Sequence, residues 1–149
     1  MKGNIELIED VRALASPARG AREIMMDAVN LLRCERPHYS WVGIYLLVEE
    51  TLVLGPYVGK PTPHTRIPLN QGICGAAASS GKTVIVDDVN ADPRYLACSL
   101  ETRSEIVVPI ARDGEILGEI DIDSDSPAAF TADDRKLLEA VSEILAARL

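Results

Sequence analysis

The sequence predicts an α+β fold, in which an antiparallel sheet carries the N- and C-terminal helices on one face and a loop-roofed pocket on the other. Three observations predict it. Amphipathic helical stretches open and close the chain, two apolar hairpins lie between them, and the middle mixes small residues, short strands and loops.

Residues 4 to 16 place Ile5, Leu7, Ile8, Val11, Leu14 and Ala15 near helical spacing, and Pro17 and Gly20 break the pattern. A second stripe follows in Ile24, Met25, Ala28, Leu31 and Leu32, where Met25 and Met26 read as core filler. "SWVGIYLL" and "TLVLGPYVG" read as a hairpin about Glu49-Glu50. "TRIPLNQG" gives a short strand and loop, "GICGAAASSG" a small-residue helix ended by Gly81, and "KTVIVDDV" another short strand. After the polar loop "NADPRYLACSLETR", "SEIVVPIA" and "GEILGEIDID" form a second hairpin with Asp113-Gly114 at its turn. The last helix opens with Thr131 as N-cap and two acids in its first turn. Leu137, Leu138, Val141, Ile144 and Leu145 form its apolar stripe. The expectation is one domain over residues 1–149, with residues 60 to 102 covering the second face of the sheet.

Composition narrows the function. The chain has 149 residues, 47% of them hydrophobic and 26% charged, as in an ordinary globular protein. Its formal charge of −8 argues against nucleic acids and anionic membranes as partners. No apolar run approaches the length of a membrane span, and the N-terminus lacks a signal peptide's apolar core, so a cytoplasmic protein is expected. The three cysteines, Cys34, Cys74 and Cys98, are far apart, with no CxxC pair and only two histidines. Neither a disulfide scaffold nor a metal is expected from that spacing. What remains is a nucleophilic or redox thiol, or three passive cysteines.

Strand alternation says which residues can line the pocket. Trp41, Gly43 and Tyr45 share one face of the first strand, with Val42, Ile44 and Leu46 opposite. Glu119, Asp121, Asp123 and Asp125 share one face of the last strand, with Ile120 and Ile122 opposite. The acidic row is either a solvated strand face or, under a roof, a set of crowded carboxylates with at least one raised pKa. Trp41 and Tyr45 are either core aromatics or a wall for an apolar or cationic group.

The segments "WVGIYL", "LGPYVGK", "TRIPLNQGICGAAASSG", "DDVNADPRYLACSLETRSEIVVPI" and "GEILGEIDIDSDSPAAFTADD" together resemble the free methionine-(R)-sulfoxide reductases, one group of GAF-type domains. The resemblance implies a GAF-like fold and a reductase of free L-methionine-(R)-sulfoxide. Cys98 stands at the family's catalytic cysteine, whose thiolate attacks the sulfoxide sulfur and becomes a sulfenic acid. Glu105, Asp121 and Asp123 match its acidic pocket residues, and Trp41 and Tyr45 its aromatic wall. Members commonly carry a resolving cysteine two residues before the arginine of the "RIP" strand. Here His64 stands at that place, and Cys74, in "GICG", is the implied replacement. The result would be a Cys74–Cys98 disulfide recycled by thioredoxin, with NADPH acting indirectly and no bound cofactor.

His64 either lowers the pKa of Cys98 or fills the vacated space. Cys34 is expected to be a buried bystander. Domains of this type often dimerise through their terminal helices, which makes a homodimer an implied partner state. The alternatives to the enzyme are a ligand-binding module acting through a partner and a redox sensor using the same thiols. The sequence contains no evident linker or output segment, which favours the enzyme.

Overall fold

Alternating apolar runs give six strands: β1 (Trp41–Val48), β2 (Thr51–Val58), β3 (Arg66–Pro68), β4 (Val84–Val86), β5 (Ser104–Arg112) and β6 (Glu115–Ser124). They form one antiparallel sheet in the order β3-β2-β1-β6-β5-β4, which puts β6 and β1 at its centre. The computed structural model describes residues 1–97 and 99–149. The helices are α1 (Asn4–Leu14), α2 (Ala21–Glu35), α3 (Gly72–Ser80) and α4 (Ala132–Ala146), with a 3-10 turn at Val89–Ala91. This is the expected α+β plan. No helix among the described residues is long and apolar enough to cross a membrane.

The turns follow from their residues. Asp113 and Gly114 both take positive φ, 53° and 79°, which closes β5 onto β6 in the tight sense that matches strand twist. The β1–β2 register slips between Gly43 and Tyr45, so β2 bulges near Gly55 and Pro56, a place that tolerates the missing proline N–H. Helix α3 stops at Gly81, whose φ of 67° suits glycine.

One core cluster joins the helices to the sheet. It includes Leu7 and Val11 of α1, Ile24, Ala28 and Leu32 of α2, and Leu137, Leu138 and Val141 of α4. These pack on Val42, Ile44, Ile106, Val108, Ile120 and Ile122. The expected stripe on α1 is corrected at one position, because Ile5 is 81% exposed. Leu7 and Val11, four residues apart, form the buried face of α1, and Ile5 lies off it. A second cluster, on the opposite face of the sheet, includes Trp41, Tyr45, Leu52, Ile67, Ile73, Cys74 and Val107.

Helix α4 is fastened at its start. Thr131 and Asp134 form a reciprocal capping box. The Asp134 carboxylate also accepts from the Tyr39 hydroxyl at 2.6 Å and lies 2.9 Å from His38 Nε2. Burial would raise the Asp134 pKa, but hydrogen bonds from Tyr39, the Thr131 backbone and His38 outweigh it and hold the carboxyl below its usual value. The native state thus takes up this proton less readily than the unfolded chain. Its stabilising contribution is present above the unfolded value of about 4 and is lost as pH falls through the lower native value. Asp134→Asn is expected to cost about 1–3 kcal/mol at neutral pH. Urea unfolding across a pH series will show the gap between variant and wild type shrinking in acid.

Candidate active site

The sheet face away from the long helices carries a row of acids, and strand register sets their neighbours. Asp123 pairs with Trp41 on one side and Glu105 on the other, Asp121 with Gly43 and Val107, and Glu119 with Tyr45 and Pro109. Residues two apart on a strand point the same way, so the three carboxyls line up along β6. Such a row is an ordinary wet surface when nothing lies over it. Here it is covered, and Glu105, Glu119, Asp121 and Asp123 are all buried. Asp125, next in the row, is exposed.

The aromatic residues form one wall and also hold the roof. Trp41 and Tyr45 have ring centroids 6.5 Å apart, and Tyr57 of β2 stacks on Trp41 at 5.6 Å. Gly43 lies under the indole: a Cβ there would come within 2.3 Å of Trp41 Cη2. The ring tips reach the roof, Trp41 Nε1 donating to the Lys60 carbonyl at 2.9 Å and the Tyr45 hydroxyl to the His64 carbonyl at 2.6 Å. His64 Nε2 in turn donates to the Ala97 carbonyl at 3.0 Å. Lys60 pairs with Glu101 at 3.1 Å, and the Ser99 hydroxyl donates to the same carboxylate. The Ser99 hydrogen bond, then that of Lys60, brings the exposed Glu101 carboxyl down to about 2. Two roof segments, one at residues 60–64 and one holding Ala97, Ser99 and Glu101, are therefore stitched to each other as well as to the wall.

Beneath them lies a cavity of about 30 Å³, bordered by Trp41, Tyr45, Thr62, His64, Ile73, Cys74, Tyr95, Leu96, Glu105, Asp121 and Asp123. Cys74 enters it from the first turn of α3. Gly72, at φ 72°, and Gly75 let that turn approach closely, since a Cβ would meet Leu96 Cδ1 at 2.9 Å or the Leu69 carbonyl at 2.7 Å. The Cys74 sulfur and one carboxyl oxygen each from Glu105 and Asp121 lie within 4.8 Å of one another.

The net shift of Cys74, Glu119 and Asp121 is upward in each case. Burial pushes the Cys74 thiol well above its usual value, and the charges of Asp121, Glu119 and Glu105 add to the rise. Burial likewise raises Asp121, against opposing hydrogen bonds with Glu105 and Cys74. Glu119 is raised well above the carboxylate range by burial and then by Asp121, with only the Cys74 thiol opposing. Carboxyls in contact in a dry site hold protons that free carboxylates release at neutral pH. Glu119 and Asp121 are thus buried acids with raised pKa values beside a thiol.

Trp41, Tyr45, Cys74, Glu105, Asp121 and Asp123, all singled out from the sequence, border one cavity. Cys98, the expected nucleophile, lies outside the described residues. Of the two readings of the acidic row, the covered one holds, and His64 bonds to the roof. Glu119 is legible in the sequence as one member of the row but not as a part of the site, and Tyr57 carries no local signal of its place on Trp41. The expected burial of Cys34 is overturned, because it is exposed and borders a larger cleft that adjoins the cavity and shares Trp41, Thr62 and Asp123 with it. Two residues beyond Leu32, it is turned by about 200° from that buried position of α2.

A model of the GAF domain family matches residues 17–149. The free methionine-R-sulfoxide reductase of Escherichia coli (strain K12) is 33% identical over 145 residues, covering 95% of this chain and 87% of that protein. The solved type II free methionine-R-sulfoxide reductase from Thermoplasma acidophilum superposes with a TM-score of 0.84 at 40% identity, covering 93% of this chain and 94% of its own. The free methionine-R-sulfoxide reductase from Neisseria meningitidis, solved in complex with its substrate, gives a TM-score of 0.92 at 35% identity, covering 97% of this chain and 87% of its own.

Glu119 supplies a test of the covered row. Its side chain is 0% exposed, and neither carboxyl oxygen has a well-formed hydrogen bond among the described residues. Because its native pKa is raised, stability falls as pH climbs from the unfolded value of about 4.3 towards the native one. Glu119→Leu removes that penalty, and the variant is expected to be about 1–3 kcal/mol more stable than wild type at pH 7. Chemical denaturation at pH 5 and pH 7 measures this, the margin being larger at pH 7. A less stable Leu variant would mean that Glu119 has a partner that stabilises it.

Proposed function

Since the chain belongs to the free methionine-R-sulfoxide reductases built on the GAF domain, we propose that Cys98 and Cys74 perform the reduction of free L-methionine-(R)-sulfoxide in two steps. In the first, the Cys98 thiolate attacks the sulfoxide sulfur while a neighbouring carboxylic acid protonates the departing oxygen. The S–O bond of the substrate breaks and its oxygen passes as a hydroxyl group to the Cys98 sulfur. The transient bond between the two sulfurs cleaves with its electron pair returning to the substrate, so methionine leaves and Cys98 becomes a sulfenic acid. In the second, the Cys74 thiol condenses with that sulfenic acid, releasing water and forming a disulfide. A thioredoxin-type dithiol then takes the oxidising equivalents and restores both thiols, its own reduction drawing on NADPH.

One observation carries the division of labour. Cys74 is buried among carboxyls that keep it protonated, which suits a thiol that waits for a sulfenic acid and not one that attacks first. Glu105, Asp121 and Asp123 bind the substrate's ammonium and sulfoxide ends, and the protonated member of the cluster supplies the oxygen's proton. Trp41 and Tyr45 take the methylsulfinyl group. Roof N–H groups meet the substrate carboxylate. A cavity of about 30 Å³ is smaller than the substrate, so the roof segments that Trp41 and Tyr45 fasten must part for entry. In this reading the protein works in the cytoplasm, and two copies pair through their terminal helices.

The test is turnover of free L-methionine-(R)-sulfoxide with thioredoxin, its reductase and NADPH, beside the S epimer and a peptide-bound sulfoxide. Only the free R epimer is expected to be reduced, and its inertness would remove the reading. Cys98→Ser should abolish product. Cys74→Ser should yield about one equivalent of methionine per chain and then stop, because the sulfenic acid is formed but not resolved. A Cys74→Ser variant with the wild-type steady-state rate would exclude Cys74 as the resolving thiol.

A further inference from the structure

The cavity that serves the reductase reading also has the composition of a metal site. It joins one sulfur and two carboxyl oxygens within 4.8 Å, supplied by Cys74 of α3, Glu105 of β5 and Asp121 of β6. Zinc bound at about 2.3 Å from sulfur and about 2.0 Å from oxygen needs ligand atoms about 3.5 Å apart, a spacing that side-chain rotation can reach. A second observation points the same way. Glu119 lies fully buried against the Cys74 thiol, with no well-formed hydrogen bond to either carboxyl oxygen, and so leaves an uncompensated acid beside the trio. The cavity, at about 30 Å³, fits one ion with its remaining ligand and excludes anything much larger.

We propose that Cys74, Glu105 and Asp121 form a binding site for a thiophilic divalent cation of the Zn²⁺ type, and that the bound ion switches the protein off. A thiolate with two carboxylates suits zinc, whereas magnesium and calcium demand more oxygen ligands and no sulfur. Binding replaces the thiol proton of Cys74, and any proton held on the ligating Glu105 and Asp121 oxygens, with the metal. These protons pass to solvent, and a water or Glu119 completes the four-coordinate shell. The ion then occupies the only described thiol in the cavity and the two acids beside it. The site itself does not depend on the reductase reading, but its inhibitory effect does.

The experiment uses reduced, metal-free full-length protein. Cobalt(II) is titrated as a spectroscopic probe, and zinc affinity is measured by competition with a chromophoric chelator. One cobalt per chain should give four-coordinate visible bands and a thiolate-to-metal band in the near ultraviolet. Cys74→Ser should lose the thiolate band and bind zinc roughly 100-fold more weakly, while Cys34→Ser and Cys98→Ser keep both properties. X-ray absorption on the wild-type zinc complex needs no variant, and should show one sulfur at about 2.3 Å with lighter ligands at about 2.0 Å. No thiolate band, its survival in Cys74→Ser, its loss in either other serine variant, or two sulfurs at zinc would each overturn the site. Release of methionine by the reduced protein, measured before any thioredoxin is added, should stop at one equivalent of zinc and return with EDTA. Persistence at that zinc level would overturn the inhibition. A protein that releases no methionine even without zinc would fail the reductase reading and leave the spectroscopic tests intact.

Discussion

Alternation along β6 governs the rest of the architecture. Ile120 and Ile122 face the layer formed by α1, α2 and α4, and are fully buried there. Each step between them turns an acid to the other face, and Glu119, Asp121 and Asp123 are buried as well. A strand with an apolar face and an acidic face normally leaves the second in water. In this chain α3 and the loops on either side of it cover it. Burial raises the pKa of Glu119 and Asp121, opposed at Asp121 by hydrogen bonds with Glu105 and Cys74 and at Glu119 by the Cys74 thiol alone.

The cover in turn depends on the wall. Trp41 and Tyr45 are on β1, the rigid neighbour of β6, and their polar tips reach the backbone carbonyls of Lys60 and His64. These buried aromatic anchors have little freedom to move. The Lys60–Glu101 pair lies in solvent, where such bridges contribute little and break readily. The roof thus has a firm edge at the aromatic wall and a weaker seam where Ser99 and Glu101 meet Lys60. In the proposed reaction, a substrate larger than the cavity enters at that weaker seam.

Placing Cys74 at the first turn of α3 links the two layers. The adjacent glycines let the first turn of the helix pack closely against Leu96 and the Leu69 carbonyl, and the sulfur lies in one cluster with the Glu105 and Asp121 carboxyls. In the proposed reaction, a thiol kept protonated stays available for the second step. The same surroundings supply the two carboxyl oxygens of the proposed metal site. Both properties come from one feature, a thiol in a dry acidic site.

Most of the fold can be read from local pattern. The periods of the terminal helical regions, the Asp113-Gly114 turn and the Thr131 cap are local, and the strand faces follow from alternation. Local pattern is also enough to put Trp41, Gly43 and Tyr45 together, and to mark Asp121 and Asp123 as a row. It fails where rotation about a helix axis matters, as with the exposed Ile5 and Cys34, because an apolar residue near a stripe need not lie on it. It also fails where residues distant in sequence meet, as in the Tyr57 stack on Trp41 and the trio of Cys74, Glu105 and Asp121. The elements, their faces and the family follow from the chain's own order of residues, since these depend on neighbours within a few positions and on short motifs. That the acidic face is covered and dry follows only from the folded molecule, because burial depends on what the remote α3 and its flanking loops place above it. Whether Asp121 is a solvated carboxylate or a buried acid with a raised pKa beside a thiol therefore could not be read from β6 alone.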